Sequence, residues 1–184
     1  MAEFCVFHYK DVMHSDCLQI HLTELEETQL FSERVARLLL PKLHQLNQLK
    51  QTKAQYGKNG VKLYLSGNLG AGKTAFVRAL LNGIGVVGTI KSPTYSLVET
   101  YSLGLLQIAH IDAYRLFDGH DFSSSGLDEM LDSDLVLIEW YEKVESVLPS
   151  ADWLVLIILE ETRRVLTIQA QSELGKELLL EMRL

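Results

Sequence analysis

Gly67-Asn68-Leu69-Gly70-Ala71-Gly72-Lys73-Thr74 fits Gly-x-x-x-x-Gly-Lys-Ser/Thr, the pattern of a loop that cradles nucleotide phosphates. The run ahead of it, Val61-Lys62-Leu63-Tyr64-Leu65, is apolar and β-prone. The run behind it, Ala75-Phe76-Val77-Arg78-Ala79-Leu80-Leu81, has helical periodicity. Strand, glycine loop and helix thus follow in the order phosphate binding requires. Glycines let the backbone bend around an anion and present its N–H groups, and the helix N-terminus adds a favourable dipole. Leu69, Gly70, Ala71 and Gly72 would bind through their backbone. Lys73 can reach the β- and γ-phosphates, and the Thr74 hydroxyl can ligate Mg²⁺. The plainer alternative is a glycine turn that merely joins a strand to a helix.

The chain has 184 residues, the size of one domain with a sizeable core. Apolar content of 47% without low-complexity tracts indicates a globular protein. No apolar run approaches a membrane span, and Met1-Ala2-Glu3-Phe4-Cys5 lacks the basic and apolar regions of a signal peptide, so a cytoplasmic site of action is expected. Cys5 and Cys17 are too few for a disulfide framework and lack metal-ligand spacing. A net charge of −7 argues against gripping nucleic acid by a general field, so a partner would hold any nucleic acid involved.

Residues 1–16 show no clear pattern and read as an extension. Leu18 to Leu22 alternates as a strand, and Thr23 with Glu26 forms a capping box for a helix reaching about Leu40, where Pro41 is expected to interrupt it. Residues 41–60 read as an insertion or helix-loop: Leu43, Leu46 and Leu49 mark a partly exposed helix, ending in a loop at Tyr56 to Gly60. That leucine stripe would lie on the chain's own core or in a partner's groove. Strands are predicted through Ser96 to Tyr101, Leu105 to Ile111 and Leu135 to Ile138. A short helix is predicted over Ser123 to Leu131, a hairpin from Trp153 to Leu159 and Val165 to Ala170, and a closing helix from Ser172 to Leu184. Strands and helices alternating around a phosphate loop predict a single α/β domain, a layered sheet flanked by helices.

Two acids end apolar strands. Leu135-Val136-Leu137-Ile138 runs into Glu139 and Trp140, and in phosphate-loop proteins such a terminal carboxylate reaches the Mg²⁺ shell. Otherwise it is a strand ending at a solvated glutamate. In His110-Ile111-Asp112-Ala113-Tyr114-Arg115, His110, Asp112 and Tyr114 share one face of an extended chain, and Asp112 could orient water or the metal's water shell. His110 and Asp112 could instead be zinc ligands, but nothing is spaced to complete that site, and His110 reads as a structural histidine. Ser92-Pro93-Thr94 is either a γ-phosphate sensor or an ordinary proline turn.

Gly-x-Leu-Gly-Ala-Gly-Lys-Thr, Ser-Pro-Thr-Tyr-x-Leu-Val-Glu, His-x-Asp-x-Tyr-Arg-Leu and Ile-Glu-Trp, in this order between Gly67 and Trp140, resemble the TsaE (YjeE) family. That family is the small ATPase of the bacterial machinery that makes threonylcarbamoyladenosine on tRNA. The resemblance implies that ATP and Mg²⁺ are the ligands. Lys73 would bind phosphate, Thr74 and Glu139 would hold Mg²⁺, and Asp112 would be needed for hydrolysis. Ser92 and Thr94 would form a switch-like loop, with Trp140 near the nucleotide face. It also implies that the helix around Thr28 and an arginine, Arg164 with Arg163 adjacent, approach the base. The implied partners are TsaD and TsaB, with tRNA contacted indirectly. Asn68 stands where an acid is usual, Ala113 replaces a larger apolar residue, and the 41–60 stretch and the amino terminus are longer than usual. None of these departures touches the proposed Mg²⁺ ligands.

A small-molecule kinase could use the same phosphate loop, but the acidic Glu142-Lys143-Val144-Glu145 disfavours an arginine-rich lid. A GTPase is disfavoured because the chain has no Asn-Lys-x-Asp guanine reader. A regulatory module that binds ATP without turning it over remains open.

Overall fold

The computed structural model describes residues 16–52, 60–161 and 163–182. One sheet of seven strands organises the chain: β1 (Cys17–Leu22), β2 (Val61–Ser66), β3 (Val98–Leu103), β4 (Leu106–Asp112), β5 (Leu135–Glu139), β6 (Trp153–Leu159) and β7 (Arg164–Ala170). Their spatial order is β1-β7-β6-β2-β5-β4-β3. The loop-feeding β2 is central and parallel to both β5 and β6, and β4 is parallel to β5. β3, β7 and β1 add antiparallel edges. Every residue of β5 is buried, as suits a parallel strand covered on both faces.

The helices are α1 (Leu25–Thr52), α2 (Lys73–Gly83), α3 (Gly119–Ser124) and α4 (Glu173–Glu181). α1, α2 and α4 cover one face, where Phe31, Val35, Leu39, Phe76, Leu80 and Leu179 pack on Leu63, Leu65, Leu137 and Val155. On the other face Phe122, Leu127 and Val144 pack on Tyr64, Ile111, Val136 and Ile138.

The α/β expectation holds, with three local corrections. Pro41 does not interrupt the helix: α1 runs through it to Thr52, making 41–52 the continuation of one helix. Pro41 and Arg37 both face solvent, so the Arg37 carbonyl that loses its intrahelical donor can be hydrated, while Phe31, Val35, Leu39 and Leu43 stay buried on either side. Leu43 is core but Leu49 is exposed, so the leucine stripe is only half used. The cap is shifted by one residue: Glu27, not Glu26, accepts from the Thr23 and Glu24 N–H groups at 2.6 and 3.2 Å. The single helix expected over Ser123 to Leu131 is instead α3 and a 3-10 turn, Leu127–Asp132, separated at the left-handed Gly126. Cys5 and all but the last residue of the 1–16 extension lie outside the described residues, as do 53–59, which include the expected loop at Tyr56 to Gly60 except Gly60 itself.

Candidate nucleotide site

Sheet register assembles the site. Leu65 pairs with Glu139, and Glu139 pairs with Asp112, so both acids stand beside the end of β2 and on the same face. The loop leaves β2 at Gly67, whose φ is 136° and where a Cβ would lie 2.1 Å from the Ile157 carbonyl oxygen. Only glycine fits there. Gly72 begins α2 in the left-handed region and supplies no side-chain cap, so the first N–H groups of α2 remain available to an anion.

Lys73, Thr74, Asp112, Glu139, Trp140, Ser92, Thr94, Leu69, Gly70, Gly72, Ala75 and Tyr114 line one cleft of about 290 Å³. The Lys73 ammonium donates to the carbonyls of Gly67 and Asn68 at 2.5 and 3.1 Å and lies 3.8 Å from the centre of the Trp140 ring. Burial lowers its pKa, opposed by the nearby Glu139, Glu142 and Asp112. Thr74 Oγ1 donates to Glu139 Oε2 at 2.9 Å, and His110 Nε2 meets the other carboxylate oxygen at 2.8 Å. Asp112 accepts from Thr94 Oγ1 at 2.6 Å and from the Tyr114 N–H at 3.0 Å, while Thr94 and Ser92 hydroxyls lie 2.8 Å apart. Ser92-Pro93-Thr94 is therefore tied to Asp112 through the Thr94 hydroxyl.

Two non-glycine residues hold left-handed backbone beside the cleft. Leu97, at φ 65°, bridges the Pro93 carbonyl to the Asp112 N–H. Trp140, at φ 59°, lays its ring on Lys73 and, with centroids 5.0 Å apart, against Tyr114.

These residues fit a nucleotide phosphate with Mg²⁺. The donor set combines an ammonium, the N–H groups at the start of α2, and a hydroxyl and carboxylate hydrogen-bonded to each other, hard oxygen donors of the kind Mg²⁺ takes. Ala71 is buried under the loop, and its carbonyl accepts from Arg164 Nε at 3.3 Å. Arg163 is turned away and pairs with Glu160. Thr28 does not enter the cleft. It lies in an adjoining groove of about 200 Å³ between α1 and α2, which shares Ala75 with the cleft. Its hydroxyl is buried without a hydrogen-bond partner among the described residues. Zinc at His110 finds no support: among the described residues only Asp118, His120 and Asp121 cluster as metal-type side chains. Sequence reasoning missed Tyr114 as a wall and His110 as the partner of Glu139. Their alternation with Asp112 was the available signal. Leu97 gave none, since nothing marks a leucine for left-handed backbone.

A strand, a glycine loop and a helix N-terminus, facing two strand-end acids, define a phosphate-loop nucleotide-binding protein. A family profile described as threonylcarbamoyl adenosine biosynthesis protein TsaE matches residues 40–166. The tRNA threonylcarbamoyladenosine biosynthesis protein TsaE of Haemophilus influenzae is 39% identical over 150 residues, covering 81% of this chain and 87% of that protein. The protein of the same description from Rickettsia felis is 34% identical over 137 residues, covering 73% and 80%. The crystal structure of Bacillus subtilis YdiB superposes with a TM-score of 0.67 at 25% identity, covering 91% of this chain and 94% of that one. The chain belongs to the TsaE family. Among the described residues no helix is long and apolar enough to cross a membrane.

Proposed function

We propose that this chain is the Mg-ATP-hydrolysing subunit of tRNA threonylcarbamoyladenosine biosynthesis, acting with TsaD and TsaB, which hold the tRNA. The observation that carries the reading is the convergence of Lys73, Thr74, Asp112 and Glu139 on one phosphate loop. The names of its relatives supply the pathway.

In this reading the loop N–H groups and Lys73 hold the phosphates of ATP. Thr74 and Glu139 hold Mg²⁺, which offsets phosphate charge when bound. Asp112 orients the attacking water, whose oxygen bonds to the γ-phosphorus as the bond to the β–γ bridging oxygen breaks; ADP leaves, and the water's protons end on the released phosphate and in solvent. Thr94, bonded to Asp112, and Ser92, bonded in turn to Thr94, report the phosphate state to the surface loop. Arg164, bonded to the Ala71 carbonyl, and Thr28, in the groove beside the cleft, would approach the base. Most of the rate enhancement comes from fixed charges and dipoles.

The test is Mg-ATP turnover by the purified chain, alone and with TsaD, TsaB and tRNA added. Turnover that rises sharply with these partners supports the proposal. Tight nucleotide binding without stimulation would replace it with a regulatory nucleotide binder, and a phosphorylated acceptor with a kinase.

A further inference from the structure

Glu139 is 2% exposed, and its two oxygens have different partners. Oε2 accepts from Thr74, whereas Oε1 faces His110 Nε2 at 2.8 Å. A carboxylate oxygen only accepts, so the imidazole carries its proton on Nε2. His110 is fully buried, and its Nδ1 has no hydrogen-bond partner among the described residues. Buried polar atoms are normally satisfied. Among the described residues the ring thus has no partner at Nδ1, and its one hydrogen bond goes to Glu139. Register explains how it gets there. His110 pairs with Leu137, two residues before the Asp112–Glu139 pair, so its ring lies on the same sheet face, within reach of the neighbouring strand's carboxylate.

We propose, on the reading of Thr74 and Glu139 as Mg²⁺ ligands, that His110 is a positioning residue for that metal site. By holding Oε1 it turns Oε2 to Thr74, so that carboxylate and hydroxyl meet the ion as one prearranged pair. A glutamate side chain has several rotatable bonds, and a buried carboxylate oxygen without a donor would be driven to rotate towards another. The flat imidazole, enclosed by the core, denies it that freedom. Partners of this kind, one step removed from a metal, commonly change its affinity by about 10–100-fold.

The experiment compares wild type, His110→Leu and His110→Gln. Leucine keeps the bulk without a donor; the glutamine amide can place its nitrogen near the position of Nε2. Each protein is checked by thermal unfolding. Binding of a fluorescent ATP analogue is then titrated against Mg²⁺ and repeated in EDTA. The expected result is a half-saturating Mg²⁺ concentration about 10–100-fold higher for His110→Leu. Binding in EDTA should stay unchanged, and His110→Gln should recover most of the loss. Equal Mg²⁺ dependence in wild type and His110→Leu overturns the proposal. So does a loss that is as large in EDTA, or that glutamine fails to restore, since packing alone would then explain it. A wild type whose nucleotide binding ignores Mg²⁺ would overturn the metal reading itself and this inference with it.

Discussion

Replacing Asp112 with asparagine separates the charge of that side chain from its hydrogen bonds. In the native site its oxygens accept from Thr94 Oγ1 at 2.6 Å and from the Tyr114 N–H at 3.0 Å. An amide oxygen can keep the Tyr114 contact while its NH₂ donates to Thr94, whose own proton turns to Ser92 Oγ, 2.8 Å away. Both contacts survive, so stability should fall by about 1 kcal/mol or less. For a chain of this size that is a Tm change of roughly 2–4 °C. What disappears is the negative charge that, in the proposed mechanism, orients the attacking water. Such assistance contributes about 10²–10⁴-fold, equivalent to about 3–5 kcal/mol of barrier. The variant should bind a fluorescent ATP analogue as wild type does. In single-turnover hydrolysis with TsaD, TsaB and tRNA present it should be slower by that factor. Hydrolysis within about threefold of wild type at equal nucleotide occupancy would refute the catalytic role of Asp112.

Three further perturbations probe other parts of the structure. Thr74→Ala removes the hydroxyl paired with Glu139 and should raise the Mg²⁺ needed for nucleotide binding about tenfold or more; an unchanged Mg²⁺ titration would remove Thr74 from the ligand set. Gly67→Ala places a methyl 2.1 Å from the Ile157 carbonyl on backbone at φ 136°, and should cost about 3 kcal/mol or more in urea unfolding. A loss below about 1 kcal/mol would mean that the loop relaxes readily. At Asp134, burial works against the charge, but the Lys50 ammonium at 2.7 Å and the Gln107 N–H at 2.9 Å hold the carboxyl below its ordinary pKa of 3.8. A depressed folded-state pKa adds stability above the unfolded value, and that stability is lost as pH falls through the folded value. Asp134→Asn should therefore be less stable than wild type by about 1–3 kcal/mol at neutral pH. The gap should narrow as pH drops below about 4; a gap that stays constant down to acid pH in thermal unfolding would contradict this.

The sequence was most legible where local pattern and global burial agree. Leu135 to Ile138 is apolar at every position because both faces of β5 are covered, and the acid that follows marks where the strand meets the cleft. Asp112 and Glu139 could each be read as strand-end acids, but their pairing depends on sheet order, which one chain does not spell out. Pro41 misled because propensity is a local quantity, while the buried residues on both sides of it hold α1 together through tertiary contacts. Gly126 was the overlooked break in the segment after α3. Leu97 and Trp140 stayed hidden for a different reason: their left-handed backbone is imposed by the surrounding structure and has no compositional signature.

The register that places Asp112 opposite Glu139 also sets what changes in length this fold can absorb. Side chains alternate along a strand, so deleting one residue from the interior of β4 would move Asp112 to the opposite face, among Ile111 and Ile138, while leaving the backbone ladder able to pair. Such a deletion could yield a folded protein with its chemistry inside out. An insertion in the turn between β3 and β4, at the exposed Gly104 and Leu105, changes no register within β4. Length variation is thereby steered away from the strands and into their connections.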